Sequence, residues 1–382
     1  MRVLFLHNRY RQPGGEDRVA LAEVQMLRAA GIETQLVLAD NREASPWSAL
    51  EAAWSEESYR RVRRLCLEFR PDVAHVHNFW MQLTPSVHAA CRDAGAVTVQ
   101  TLHNFRLLCA NALLLREDRP CEDCVGRSPW TGVARRCYRN SLLASTAVVR
   151  MIAANRRRGT WDHDVRAFIA LSDFARRRFV EGGLPAERVF VKPNFVADPG
   201  PVEAPPSASR DVLYAGRLSR EKGVHVLVAA WMRARLNSGA RLLIAGDGPE
   251  RRDLQARAGA DGVVFTGWKS PREIRELLPA VRAVALPSLC YENQPRALVE
   301  AFSFARPVIV SDLGGLAEAV QDQGLRVPAG DEEALGEALA TVTRDATLAD
   351  RLGRNARATY LERYTPQRNC EMLLDIYRQA AA

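Results

Sequence analysis

The chain has 382 residues, 47% of them hydrophobic and 26% charged, a globular composition long enough for two cores. No apolar run reaches the ~18–20 residues of a membrane span, and Met1–Leu6 runs straight into polar sequence, so neither a spanning segment nor a signal peptide is expected and the chain is placed in the cytoplasm. The net charge of +8 is uneven: residues 1–200 hold 29 Lys+Arg against 22 Asp+Glu, which points that half towards anionic partners such as phosphates or lipid headgroups.

Arg2–His7 reads as a buried strand. The loop Asn8–Asp17 follows, with Pro13-Gly14-Gly15-Glu16, and then a helix with Val19, Ala22, Leu27 and Ala30 on one face, closed by Gly31. Gly14-Gly15 between strand and helix either lets backbone N–H groups approach a phosphate or makes an ordinary tight turn. The dinucleotide fingerprint G-x-G-x-x-G is absent, which counts against a hydride-transfer enzyme. Thr34–Ala39 is a second strand, residues 47–70 a polar, Arg-rich helix, and Asp72–His77 a third strand. Alternation along it is read as sending His75 and His77 to opposite faces, with His75 packed inside. Ala96–His103 is the next strand. A His at the carboxyl end of a buried parallel strand is either placed for a ligand or capped as an interior ring.

Cys109, Cys121, Cys124 and Cys137 fall in one Gly- and Pro-punctuated insertion, about residues 105–160. The Cys121-x2-Cys124 pair has metal-ligand spacing, and four thiolates would satisfy tetrahedral zinc. Free thiols and a redox pair fit the same spacing. From Arg127 to Arg158 there are eight Arg and no acidic residue, around the apolar stretch Leu142–Ala154. That suits an anionic membrane face, or a buried helix with basic flanks. Nucleic acid is disfavoured, because no aromatic-interleaved platform accompanies the charge. Phe168–Ser172, Phe174–Glu181 and Val189–Lys192 read as strand, helix and strand. Val196–Ser209, rich in Pro, Ala and Ser, reads as a linker.

A second domain starts with the strand Val212–Ala215. Gly216-Arg217-Leu218-Ser219-Arg220-Glu221-Lys222-Gly223 follows, then a helix from Val224. Arg217 can fork onto phosphate oxygens and Lys222 can act as a point charge. Lys222 is one of only three Lys in the chain, against a background of Arg. Arg241–Ala245 and Val263–Thr266 are further strands. Ala283–Leu286, a Pro-punctuated loop, a helix starting at Pro295 and the strand Pro307–Val310 then form a βαβ crossover, with its loop at the carboxyl edge of a parallel sheet. Glu292 in the loop and Glu300 in the helix lie near a helix N-terminus, where free N–H groups favour anions. They are either solvated surface acids or groups that hold a ligand's hydroxyls and a developing positive charge. Leu335–Arg344, Leu348–Arg363 and Gln367–Arg378 are helices.

Glu292-x7-Glu300, followed by Ala301-Phe302, Pro307-Val308-Ile309 and Gly314-Gly315-x2-Glu318, resembles the signature of the family-4 retaining glycosyltransferases. The segment Gly216–Gly223 is similar to that family's basic phosphate element. The resemblance implies an α/β fold of GT-B architecture, two doubly wound Rossmann-like domains facing each other across a cleft. The expected divisions are residues 1–195 on the acceptor side, a linker at 196–209, a nucleotide-sugar domain at 210–365, and a helix over 366–382 crossing back to the first domain. It implies transfer of a sugar from a uridine or guanosine diphosphate sugar to a hydroxyl of a glycan or lipid-linked acceptor, with retention and with no catalytic cofactor or metal. Gly14, Gly15, Arg217 and Lys222 would hold the diphosphate and Glu300 the ribose. Glu292 would support the reacting sugar and His103 would touch it. Asn293 and Gln294 stand where many relatives carry a Gly-rich turn and would shape the donor-sugar loop. A sugar-nucleotide enzyme that does not transfer, such as an epimerase, and a nucleotide-sugar-binding protein are the other classes this architecture allows. A cytoplasmic chain seated peripherally on the inner membrane face accounts for the basic first half.

Overall fold

The computed structural model describes residues 1–10, 14–42, 51–236, 239–259 and 262–382. Pro13 of the Gly-rich loop and residues 47–50 of the helix expected at 47–70 lie outside these. The chain divides into two compact units. One comprises Met1–Leu114, Cys121–Pro193 and Asn369–Ala382; the other comprises Leu115–Pro120 and Asn194–Arg368.

The first unit is built on six parallel strands, β1 (Arg2–Arg9), β2 (Glu33–Asp40), β3 (Val73–Asn78), β4 (Val97–Leu102), β5 (Ala167–Ala170) and β6 (Val189–Val191). Their order is β2-β1-β3-β4-β5-β6. The helices are α1 (Gly15–Ala29), α2 (Glu56–Phe69), α3 (Ser86–Asp93), α4 (Leu142–Arg158) and α5 (Asp173–Glu181). Helix α2 begins at Glu56 because Ser55 caps it, its hydroxyl accepting from the Ser58 N–H. Helices cover both faces of such a sheet, so its strands read as continuous apolar runs, as Val3–Leu6 does. The C-terminal helix Pro366–Ala381 sets Leu373, Ile376, Tyr377 and Ala380, spaced as one helical face, into the core made by Val3, Phe5, Val73, Val99 and Ile169.

The second unit repeats the plan with β7 (Val212–Ala215), β8 (Leu242–Ala245), β9 (Val263–Gly267), β10 (Ala283–Leu286), β11 (Val308–Ser311) and β12 (Gly324–Val327), ordered β9-β8-β7-β10-β11-β12 and parallel throughout. Its helices are α6 (Val224–Ala234), α7 (Arg251–Ala258), α8 (Pro271–Leu277), α9 (Arg296–Ser303), α10 (Gly314–Ala319), α11 (Glu332–Arg344) and α12 (Ala346–Arg363). Strand residues alternate between two cores. Val212, Tyr214, Leu242, Ile244, Ala283 and Ala285 face one, and Leu213, Leu243, Val284, Leu286, Val308 and Val310 face the other. The strand β12 and the helices α7 and α8 were not anticipated, because their short, charge-interrupted sequences carry little periodic signal.

In each sheet the strand order reverses once, between β1 and β3 and between β7 and β10. At such a switch point the two following loops diverge to opposite faces and leave a crevice at the carboxyl edge. The Pro-rich stretch before β7 belongs to the second unit. The fully buried Arg306 donates to the carbonyls of Phe304, Val281 and Ala204, and Arg282 donates to those of Ser207, Ser209, Val342 and Thr343. Burial pushes the Arg306 guanidinium down to about 10, still charged at neutral pH. Arg306→Met is expected to leave those three carbonyls unmatched and to lower unfolding stability by ~2–4 kcal/mol, read as a shift of the urea midpoint.

Candidate functional site

The second unit gathers its chemistry at the β7/β10 switch point. Strand β7 ends at Ala215 and opens into Gly216–Gly223; β10 ends at Leu286 and opens into Pro287–Pro295. Two glycines clamp the second of these loops. Gly223 has a φ of 66°, and a Cβ there would sit 1.9 Å from the Pro287 carbonyl oxygen, so no other residue fits. Gly315 opens α10 with its N–H donated to the Glu292 carbonyl at 2.9 Å, and a Cβ on it would lie 2.1 Å from the Asn293 carbonyl oxygen. The Leu289 N–H donates to the Glu221 carbonyl and ties the two loops together.

The clamp brings Lys222 and Glu292 into contact. Lys222 Nζ donates to Glu292 Oε1 at 2.5 Å, and Ser288 Oγ donates to the same oxygen at 2.8 Å. Burial works against the Lys222 charge, but the Glu292 carboxylate outweighs it and lifts the ammonium above its usual range. Arg217 pairs with Glu221 and its Nε donates to Ser219 Oγ at 3.1 Å. Burial opposes the Glu221 charge, yet Arg217 and the Ser219 hydroxyl hold that carboxyl below the usual carboxylate range. Each cation therefore already has a carboxylate, and both are carried by the loop that leaves β7 at the sheet edge. Glu300 lies half-buried on α9, 3.5 Å from Arg296. Pro295 caps α9 in an extended conformation.

Asn293 and Gln294 are both buried, and Gln294 bonds Asn194: its side-chain oxygen accepts the Asn194 N–H, and its carbonyl accepts from Asn194 Nδ2 at 2.7 Å. These bonds tie the Glu292 loop to the segment at Asn194.

In the first unit Gly14 has extended backbone, and a Cβ on Gly14 or Gly15 would meet nothing closer than 3.8 Å. Among the described residues no contact requires glycine there. The N-terminus of α1 is tied down by Asp17, which accepts from the Gly14 N–H at 2.6 Å and faces His7 Nε2 at 2.9 Å.

His103 follows β4 and is half-buried, its Nε2 2.9 Å from His77 Nδ1. It lines a pocket with Tyr10, His77, Trp80, Asn104 and Arg106. The Arg106 guanidinium lies 5.3 Å from the Trp80 ring centre and 5.0 Å from that of Tyr138. Asn104 Nδ2 donates to Glu16 Oε1 at 2.7 Å, and burial raises the Glu16 carboxyl. Sequence reasoning missed Tyr10, Glu16, Trp80, Asn104 and Arg106. The adjacency of Asn104 to His103 and of Glu16 to Gly15 was the available signal, since loops at one sheet edge share one crevice.

One expectation is corrected. His75 and His77, two residues apart on a strand, share a face, as the period of 2 requires; their ring centres are 4.4 Å apart and both face Glu23. The structure gives no support to zinc at Cys109, Cys121, Cys124 and Cys137. Among the described residues, the group of three or more His, Cys, Asp or Glu whose ligand atoms all lie within 4.8 Å of one another is Glu23, His75 and His77. Cys109 Sγ instead donates to Asn111 Oδ1 at 3.0 Å. Burial, with Cys109, Cys137 and Cys121 nearby, pushes Cys124 up to about 11, so its thiol keeps its proton.

Residues 14–195 match the glycosyl transferase 4-like domain, and residues 209–345 match the glycosyl transferases group 1 domain. The chain is 29% identical over 216 residues to the alpha-D-kanosaminyltransferase of Streptomyces kanamyceticus, covering 55% of this chain and 53% of that one. It therefore spans about half the length of the curated relatives it matches. Among solved structures, sucrose-phosphate synthase of Thermosynechococcus elongatus superposes with a TM-score of 0.70 at 20% identity, covering 99% of both chains. The Anabaena HepE protein in complex with UDP and glucose superposes with a TM-score of 0.69 at 18% identity, covering 98% of both. Two parallel-sheet α/β units with these neighbours define the GT-B fold. The chain belongs to the family-4 type of glycosyltransferases.

The clamp has a direct test. Gly315→Ala forces the Glu292 loop to move and is expected to cost ~1–3 kcal/mol, like other overpacked sites. Gly15→Ala, facing open space, leaves thermal stability unchanged or raised. Melting curves of both variants decide it.

Proposed function

We propose that this chain transfers a sugar from a nucleoside diphosphate sugar to an acceptor hydroxyl with retention of anomeric configuration. The observation that supports this best is the Lys222–Glu292 pair at the β7/β10 switch point, with Arg217 on the same loop as Lys222. A departing diphosphate needs positive charge placed in advance, since fixed charges cost no reorganisation at the moment of reaction. Arg217 forks onto phosphate oxygens and Lys222 swings part of its charge from Glu292 to the phosphate. Glu292, with some of its charge released, faces the positive charge that develops on the sugar. Glu300 accepts hydrogen bonds from the ribose. Two side-chain cations do the work a metal ion does elsewhere, so the transfer is proposed to be metal-independent. In the first unit, Gly14 and Gly15 leave the N-terminus of α1 open to phosphate, and His103 takes a hydrogen bond with a sugar hydroxyl. With no carboxylate or other nucleophile among the proposed sugar contacts of the first unit, the leaving phosphate oxygen is assigned the acceptor proton. The complex of HepE with UDP and glucose favours uridine as the first base to try.

The acceptor is proposed to be a glycan or lipid-linked glycan reached at an anionic membrane surface. Among the described residues no helix is long and apolar enough to cross a membrane. Trp130, Leu142 and Leu143 are nonetheless exposed, Leu143 at 83%, within the stretch of eight Arg and no acid. The far half of α4 is buried through Val148, Val149, Met151 and Ile152, so only its first turn offers apolar side chains outward. An apolar first turn that follows Arg136 and Arg139 in the chain suits the interface of an acidic bilayer.

Two measurements test these proposals. UDP or GDP should raise the melting temperature of the wild type, and Arg217→Ala/Lys222→Ala should abolish the shift; a shift retained by the double variant removes the assigned phosphate site. In flotation assays, vesicles containing phosphatidylglycerol should carry the protein and pure phosphatidylcholine vesicles should not, with Leu142→Glu/Leu143→Glu releasing it. Equal flotation by wild type and variant would rule out this face.

A further inference from the structure

The first unit buries a chain of charged and titratable groups for which the transfer chemistry has no obvious use. Glu23 on α1 is fully buried. Lys192 Nζ donates to its Oε1 at 2.7 Å and to Asn369 Oδ1 at 2.9 Å. Glu23 Oε2 and His77 Nε2 face each other at 3.2 Å as an ion-pair contact, and neither makes a hydrogen bond. His77 Nδ1 then meets His103 Nε2 at 2.9 Å, with the two rings stacked 5.1 Å apart. The series runs from Lys192 in the core to His103 in the pocket at the carboxyl end of β4.

A buried carboxylate beside two imidazoles could hold a metal ion. Here Lys192 already supplies the cation, and a second positive charge would be repelled. His75 also approaches Glu23, at 3.7 Å, but both its nitrogens are engaged by hydroxyls, Nδ1 by Tyr377 at 2.7 Å and Nε2 by Thr101 at 2.7 Å. His7, edge-on to His77 at 6.2 Å, is held by Asp17. That leaves one path.

We infer that Glu23 and His77 are positioning residues for His103: they dictate which ring nitrogen of His103 carries its proton, and so present Nδ1 as a hydrogen-bond acceptor at the sheet edge. The proton bookkeeping follows from the donor inventory. An ionised carboxylate only accepts, so His77 must turn N–H towards Glu23 from Nε2. A neutral imidazole has one N–H, so His77 Nδ1 is an acceptor. The contact at 2.9 Å then requires the N–H to come from His103 Nε2, and its Nδ1 keeps the lone pair. The ionisation states agree. Burial opposes the Glu23 charge, but Lys192 and the facing His77 hold the carboxyl well below its usual range. Burial pushes both His77 and His103 down, keeping the rings neutral. An acceptor at Nδ1 accepts a hydrogen bond from a sugar hydroxyl, whereas the other tautomer would offer a donor. The inference rests on the proposed contact between His103 and a sugar.

Long-range 15N–1H correlation spectra of the wild-type imidazoles read the tautomers directly. His77 and His103 should both be protonated on Nε2; a His103 proton on Nδ1 overturns the relay without touching the rest of the assignment. Release of UDP from UDP-glucose, or of GDP from GDP-mannose if thermal shift selects guanosine, gives the second readout. His77→Phe should lower kcat about tenfold with KM for the donor little changed, the loss of one oriented hydrogen bond. His77→Asn, whose side-chain oxygen stands near the former Nδ1, should recover most of it. If His103→Ala is inactive while folded His77→Phe turns over like wild type, the relay is wrong and the sugar contact stands. If His103→Ala is fully active, the sugar contact fails and the relay's purpose fails with it.

Discussion

Lys222 and Glu292 are 70 residues apart in the chain and meet at 2.5 Å, and the second unit's chemistry depends on that contact. It exists because β7 and β10 are neighbours in a parallel sheet, so both chains leave it at the same edge. Adjacent strands bring the loops near each other but do not fix their approach. Gly223 and Gly315 do that, each leaving no room for a Cβ against the backbone of the Glu292 loop. The glycines of the sequence signature thus set a distance between a cation and an anion.

Pairing each cation with a carboxylate before any ligand arrives has a physical consequence. Arg217 with Glu221 and Lys222 with Glu292 form a cluster of no net charge. A diphosphate entering it competes with carboxylates that are already placed, rather than with water that must reorganise. Such competition keeps the cations held in position and favours a ligand carrying more than one negative charge, because a single charge merely exchanges with the carboxylate.

The first unit solves a different problem. Glu23 and Lys192 sit fully inside it, where two ions lose several kcal/mol each of hydration and regain it only with good geometry and satisfied remaining bonds. Lys192 is satisfied by Glu23 and Asn369, and Asn369 in turn donates to the Pro193 carbonyl, so the C-terminal helix is needed to complete the site. Tyr377 of the same helix occupies His75. Apolar packing by Leu373 and Ile376 seats the helix; these polar bonds fix its rotation and depth.

Much of the plan was legible in the sequence. Strands such as Val212–Ala215 and Ala283–Leu286 are short apolar runs bounded by Gly and Pro, and a period or its absence is a local property that needs no knowledge of the fold. The string around Glu292 and Glu300 and the Lys-Gly pair at 222–223 marked the two loops that meet at the β7/β10 edge. Contacts between distant segments were not legible. Nothing local says that Gln294 turns inward to Asn194, that Cys109 bonds Asn111 instead of joining Cys121 and Cys124, or that Glu23, on an ordinary amphipathic helix, faces two histidines and a lysine. The sequence by itself determined most of the strands and the longer helices, because propensity and periodicity act over a few residues. Only the tertiary structure decided which side chains meet, because that is set by strand order and by close backbone approach between segments far apart in the chain.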